Sequence, residues 1–89
     1  MQNGEFKEFQ TVLLIRPEAG DLIQGSNGLR KIRWKTKDSG KRGGLRIIYY
    51  WDKPNDTIYL LIPYLKTKKE DLTRKEIEVL SSLVKEYLK

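Results

Sequence analysis

The rhythm of hydrophobic and polar positions changes along this chain, and each change marks an element. In residues 5–15, EFKEFQTVLLI, Phe6, Phe9, Val12 and Leu13 recur at near-helical spacing, which predicts a helix. Pro17 and Gly20 stop it, because Arg16, the residue before the proline, is crowded out of the helical region. Residues 20–28, GDLIQGSNG, are rich in glycine and hold an Asn-Gly pair, so they read as a turn-rich connection. A period of two then takes over. In residues 29–35, LRKIRWK, alternation puts Arg30, Ile32 and Trp34 on one face and Leu29, Lys31, Arg33 and Lys35 on the other. Ile32 and Trp34 are expected in the core, which leaves Lys31, Arg33 and Lys35 as a row of cations on an open face.

Residues 45–51, LRIIYYW, and 57–65, TIYLLIPYL, are apolar in both phases, as strands covered on two faces are. Pro63 cannot donate to a ladder, which predicts an edge or a bulge in the last strand. DKPND, residues 52–56, is turn-like, and SGKRGG, residues 39–44, reads as a loose loop. The last element carries the clearest signals. Thr73 and Glu76 form a capping box, with Leu72 and Ile77 at the positions of a hydrophobic staple. Ile77, Leu80, Val84 and Tyr87, with Leu83 and Leu88 beside them, give one apolar stripe that predicts a helix packed on the core. The expectation is one α+β domain over residues 1–89, with a small antiparallel sheet of three visible strands and helices packed on it at both ends of the chain.

Charge sharpens this picture. The chain carries +6. Residues 30–46 alone hold Arg30, Lys31, Arg33, Lys35, Lys37, Lys41, Arg42 and Arg46 against Asp38, a local +7, so the other residues sum to −1. Such concentration is the footprint of a polyanion-binding segment rather than of a generally basic, solubilising surface. Cysteine and histidine are both absent, which excludes disulfides, Cys- or His-based metal sites and Ser–His–Asp chemistry. No apolar run approaches the roughly 18 residues of a membrane span and no signal peptide opens the sequence, so a cytoplasmic location is the expectation.

A nucleotide-hydrolysing phosphate loop does not fit SGKRGG. The pattern G-x-x-x-x-G-K-[ST] would need Gly at Lys35 and Ser or Thr at Arg42. A nucleic-acid backbone fits better: Lys31, Arg33 and Lys35 would project from one strand and Arg46 from the next, while Lys37, Lys41 and Arg42 wrap over the phosphates. Tyr49, Tyr50, Trp51, Tyr59 and Tyr64 offer stacking surfaces, although core packing explains most of them. With RNA the strand brings its own 2′-hydroxyl nucleophile, so lysine as base and arginine as charge stabiliser would suffice for cleavage. Spacing alone leaves binding and cleavage equally open.

Three ordered blocks, GDLIQGSNGLRKIRW, GKRGGLRIIYYW and YLKTKKEDLT, resemble the HigB/RelE superfamily of bacterial toxin–antitoxin toxins. The resemblance runs from about Phe6 to the C-terminus. It implies a small antiparallel sheet with helices on one face and a ribosome-dependent mRNA interferase acting in the A site of the small subunit. It also implies neutralisation by a cognate antitoxin encoded alongside, contact with operator DNA only through the antitoxin complex, and no metal or organic cofactor. By the same resemblance the family's basic cluster falls on Lys31 and Arg33, its phosphate-stabilising arginine on Arg46, and its basic position after the last strand on Lys66 or Lys68. Its catalytic tyrosine falls nearest to Tyr64, with Tyr87 a poorer match; Arg30, Lys35, Lys37, Lys41 and Arg42 are expected RNA contacts. Relatives begin with a strand that this sequence lacks, which implies an exposed sheet edge. A catalytically impaired relative that binds RNA or antitoxin, and a gyrase-inhibiting toxin of the ParE branch, are the alternative readings.

Overall fold

A computed structural model describes residues 3–34, 45–65 and 72–88. Its first helix, α1 (Asn3–Ile15), buries Phe9 and Leu13, four residues apart and so on one helical face, and leaves Leu14 and Ile15 in solvent. It ends as the proline rule requires. Arg16 leaves the helical region at φ −133° and ψ 80°, and Pro17–Ala19 form a single 3₁₀ turn.

Four antiparallel strands follow in spatial and sequence order: β1 (Asp21–Leu22), β2 (Leu29–Trp34), β3 (Leu45–Asp52) and β4 (Thr57–Leu65). The segment read as a turn-rich connection therefore contains a two-residue strand, paired with β2 through Asp21↔Lys31 and Leu22↔Arg30. Two residues are too few for alternation to show. The rest of that segment is a tight loop, with Gly25, Asn27 and Gly28 all at positive φ. Buried Ser26 closes it, its hydroxyl accepting from Leu29 N–H at 3.0 Å and donating to the Ile23 carbonyl.

β3 is the central strand and β4 an edge of the sheet, so Pro63 stands on an edge as expected. Between Ile48↔Ile62 and Tyr49↔Leu60 the pairing slips by one residue, leaving Leu61 as a bulge. The slip sorts the two-phase apolar pattern of β4. Ile58 and Leu60 join the face of Tyr49, and Ile62 and Tyr64 join the face of Ile48.

Each face has its own core. Phe9 and Leu13 of α1 pack on Ile32, Ile47 and Tyr49, with Phe9 edge-on to Trp34 at 5.3 Å between ring centroids. Ile32 and Trp34 thus point to a core as alternation predicts. On the other face the second helix, α2 (Arg74–Leu83), brings Leu80 onto Leu29, Ile48 and Tyr50, with Leu72 before it and Val84 after it. The helices cover opposite faces of the sheet, where the resemblance implied one. The capping box at Thr73 is complete, with Glu76 N–H donating to Thr73 Oγ1 at 3.1 Å and Thr73 N–H to Glu76 Oε1 at 2.8 Å. A π-helical turn, Val84–Leu88, continues the helix. The stripe expected to be buried is split: Leu80 and Val84 are buried, but Leu83 and Tyr87 lie 45% and 70% exposed. None of the described helices is long and apolar enough to cross a membrane.

One polar knot ties the end of α1 to the sheet. The Tyr49 hydroxyl donates to the Pro17 carbonyl at 2.6 Å and accepts from Gly20 N–H at 2.8 Å. A Cβ at Gly20 would lie 2.7 Å from Tyr49 Cε1 and 3.0 Å from the Lys31 carbonyl, so only glycine allows the contact. Gly20→Ala should therefore cost about 1–3 kcal/mol in chemical denaturation, through forced displacement of a fully buried ring. Burial raises the Tyr49 hydroxyl above its ordinary value of 10.0, opposed by the Gly20 hydrogen bond. Because the folded state holds that proton more tightly than the unfolded chain does, stability should be level below about pH 10 and decline above it. In Tyr49→Phe the alkaline decline should be shallower, with a pH-independent loss of about 1–3 kcal/mol from the orphaned Pro17 and Gly20 groups; unfolding curves across pH 8–11.5 would measure both.

Candidate nucleic-acid interface

Register decides which side chains share a surface. Across β2 and β3, Arg33 lies directly opposite Arg46, and across β3 and β4, Arg46 lies directly opposite Tyr64. Directly opposed residues point to the same face, with Cβ atoms about 4.5–5.5 Å apart. Arg33, Arg46 and Tyr64 therefore form one rank across three strands, roughly 10 Å from end to end on strand spacing. The rank shares its face with α2 but lies toward the opposite end of β3 from Tyr50, which packs in the α2 core. Two residues farther along β2, in the next rank, stands Lys31, opposite Ile48.

The members of the rank differ in exposure. Arg33 is exposed and Tyr64 half-buried, whereas Arg46 is 7% exposed. Its Nε is enclosed without a hydrogen-bond partner, and no ion pair reaches its guanidinium among the described residues. A cation stripped of water is costly unless an anion or hydrogen-bond acceptors replace the lost hydration. Here the nearest charge across the ladder is another cation.

Of the expected cations, Lys31, Arg33 and Arg46 do share one face. Lys31 is half-buried, and its cross-strand neighbours are Ile48 and the acidic Asp21. Arg30 points to the other face, as alternation predicts, and there it is a structural residue. Its Nη1 donates to the carbonyls of Gly20 at 2.8 Å and Glu18 at 3.3 Å, backing the Tyr49 knot. The face of Lys31, Arg33 and Arg46 is not wholly open either. Leu29, on the same side of β2, is fully buried beneath the C-terminal helix. Lys35, Lys37, Lys41, Arg42, Lys66 and Lys68 lie outside the described residues. Tyr87, exposed on the C-terminal turn, is not part of the rank.

Sequence reasoning did not foresee Asp21 on this face, since it belongs to the strand too short to show alternation. It likewise did not foresee the burial of Arg46, because alternation does not show which side of a strand is covered. Set against models of known protein families, the chain matches none.

The two arginines of β2 should respond oppositely to truncation. Arg30→Met removes charged donors from two carbonyls and should cost roughly 1.5–3 kcal/mol. Arg33→Met should change stability by about 0.5 kcal/mol or less, or raise it, because it removes a like charge opposite Arg46. Paired urea titrations would show the contrast.

Proposed function

We propose that this protein is an RNA-cutting toxin of a toxin–antitoxin module, of the HigB/RelE kind, acting on messages held by the ribosome. The observation that carries the reading is Arg46, buried without a counter-ion among the described residues and flanked across the sheet by Arg33 and Tyr64. A phosphodiester is the anion that an arginine pair on a sheet accommodates, because each guanidinium presents donors in a planar fork matched to phosphate oxygens.

In the proposed reaction the 2′-hydroxyl of the message attacks the adjacent phosphorus. The new O2′–P bond forms as the P–O5′ bond breaks, leaving a 2′,3′-cyclic phosphate and a 5′-hydroxyl. One group takes the proton of the 2′-hydroxyl and another supplies a proton to O5′. Lys31 is the proposed base and Lys66 or Lys68 the proton donor or charge stabiliser, with Tyr64 at the end of the rank able to take either role. Arg46 and Arg33 hold the phosphate and stabilise the charge that builds on its oxygens. The cognate antitoxin would block this face, and a cytoplasmic location follows from the substrate.

The acidic neighbour of Lys31 favours a second reading, in which the same rank binds RNA without cutting it. One experiment separates the two. Purified protein is added to ribosomes translating a defined message, and the 5′ ends of the ribosome-bound RNA are mapped. Discrete new ends are expected, reduced at least about 100-fold by Arg46→Met. Intact messages, together with RNA affinity that falls steeply as salt rises, would leave the binding reading in place. In that salt series each lost phosphate contact should lower the slope of log K against log salt by about 0.7.

A further inference from the structure

We infer that Arg46 makes the stability of this fold depend on an oxyanion of the phosphate class, so that the protein with an empty site is less stable than the same chain with the charge removed. The inference rests on the phosphate-binding part of the proposed function and extends it from chemistry to folding.

Arg46 stands on the central strand, where its neighbours on β2 and β4 are fixed by pairing on both sides. Pairing on both sides fixes the backbone from which the side chain springs, and the residue is only 7% exposed. Three contributions then act against the empty state: the residue is buried, its enclosed Nε has no acceptor among the described residues, and Arg33 places a like charge directly across the ladder. Arg30 is the internal contrast, since two backbone carbonyls accept from it. Nothing within the described residues does the same for Arg46.

A tetrahedral oxyanion meets all three demands at once. It accepts from the unpartnered donor, neutralises the buried charge and screens Arg33 from Arg46. In the unfolded chain the two arginines are separate and hydrated, so such an anion binds the folded state preferentially. At ten times its dissociation constant it would raise the folded-to-unfolded ratio about elevenfold, a rise of roughly 5–10 °C in Tm for a domain of this size. A free phosphate ion and a phosphodiester within RNA share this chemistry.

The test is thermal unfolding of the full chain in sodium chloride and in sodium phosphate at matched ionic strength, for wild type, Arg46→Met and Arg33→Met. Phosphate also stabilises proteins by exclusion from their surfaces, and the Arg46→Met increment measures that general effect. The wild-type increment should exceed it by roughly 5–10 °C, and Arg46→Met in chloride should melt no lower than wild type. Arg33→Met should show an intermediate increment and no loss in chloride. Equal increments in wild type and Arg46→Met would overturn the inference. So would an Arg46→Met protein that melts several degrees lower or does not fold. A third arm, a short single-stranded RNA at the same phosphate-group concentration, distinguishes the sources. A larger rise than with phosphate assigns the site to a nucleic-acid strand, an equal rise assigns it to the phosphate group alone, and both uphold the linkage. Uncut messages alongside an intact phosphate response would overturn only the endoribonuclease reading; cut messages without that response would overturn only the linkage.

Discussion

A central strand packed on both faces forces each of its residues, in alternation, into one of two small cores, and a cation on such a strand is buried with whatever shares its face. β3 is that strand here. Ile47 and Tyr49 go to the α1 side, Ile48 and Tyr50 to the α2 side, and all are buried. Arg46 continues the second series. Its burial follows from where the strand runs. A surface arginine would be fully hydrated; this one is 7% exposed with its Nε enclosed, and a cation interacts with an anion more strongly where water is excluded.

The two faces divide the work. On the α1 face Phe9, Leu13, Ile32, Ile47 and Tyr49 pack together, and the Tyr49 hydroxyl and Arg30 secure the connection between the helix and β1. The α2 face is shared, with an apolar end under Leu80 and Val84 and a charged end at the Arg33–Arg46–Tyr64 rank. Asn27 joins the loop before β2 to α2 by donating to Ser81 Oγ at 2.6 Å. The same strand that carries Lys31 and Arg33 is thereby anchored at its start to the helix that covers the apolar end. Rigidity under one half of the face supports the placement of charges on the other half.

Much of this was legible in the residues, and the limits have physical causes. Alternation in LRKIRWK correctly separated Ile32 and Trp34 from Lys31 and Arg33, and it put Arg30 apart from them, because a pleated strand has only two sides. The capping box at Thr73 and Glu76 was readable because it is a local chemical device. Alternation cannot say whether a side is covered, since the cover comes from elements distant in sequence. For Leu29 that cover includes Leu80 and Val84, more than 50 positions away. The exposure of Leu83 and Tyr87 belongs to the same limit: a helix stripe can be wider than the surface available to receive it. The Arg33–Arg46–Tyr64 rank needed strand register, which for β4 included a slip at Leu61; Pro63 signalled an edge or a bulge, but not which residue the ladder would skip.

That slip at Leu61 ties the number of residues in β4 to the location of the site. Residues on its two sides obey opposite parity, so Tyr59 and Tyr64 share a face although they are an odd number of positions apart. Remove one residue from the segment between them and the two tyrosines can no longer both keep their sides: either Tyr59 leaves its stack with Tyr50, or Tyr64 turns away from Arg46. Substitutions in that segment can be absorbed one side chain at a time. A single-residue insertion or deletion cannot, because it sets the core against the rank. Among descendants of this sequence the spacing from Tyr59 to Tyr64 should therefore be held more tightly than the identity of Leu61 itself.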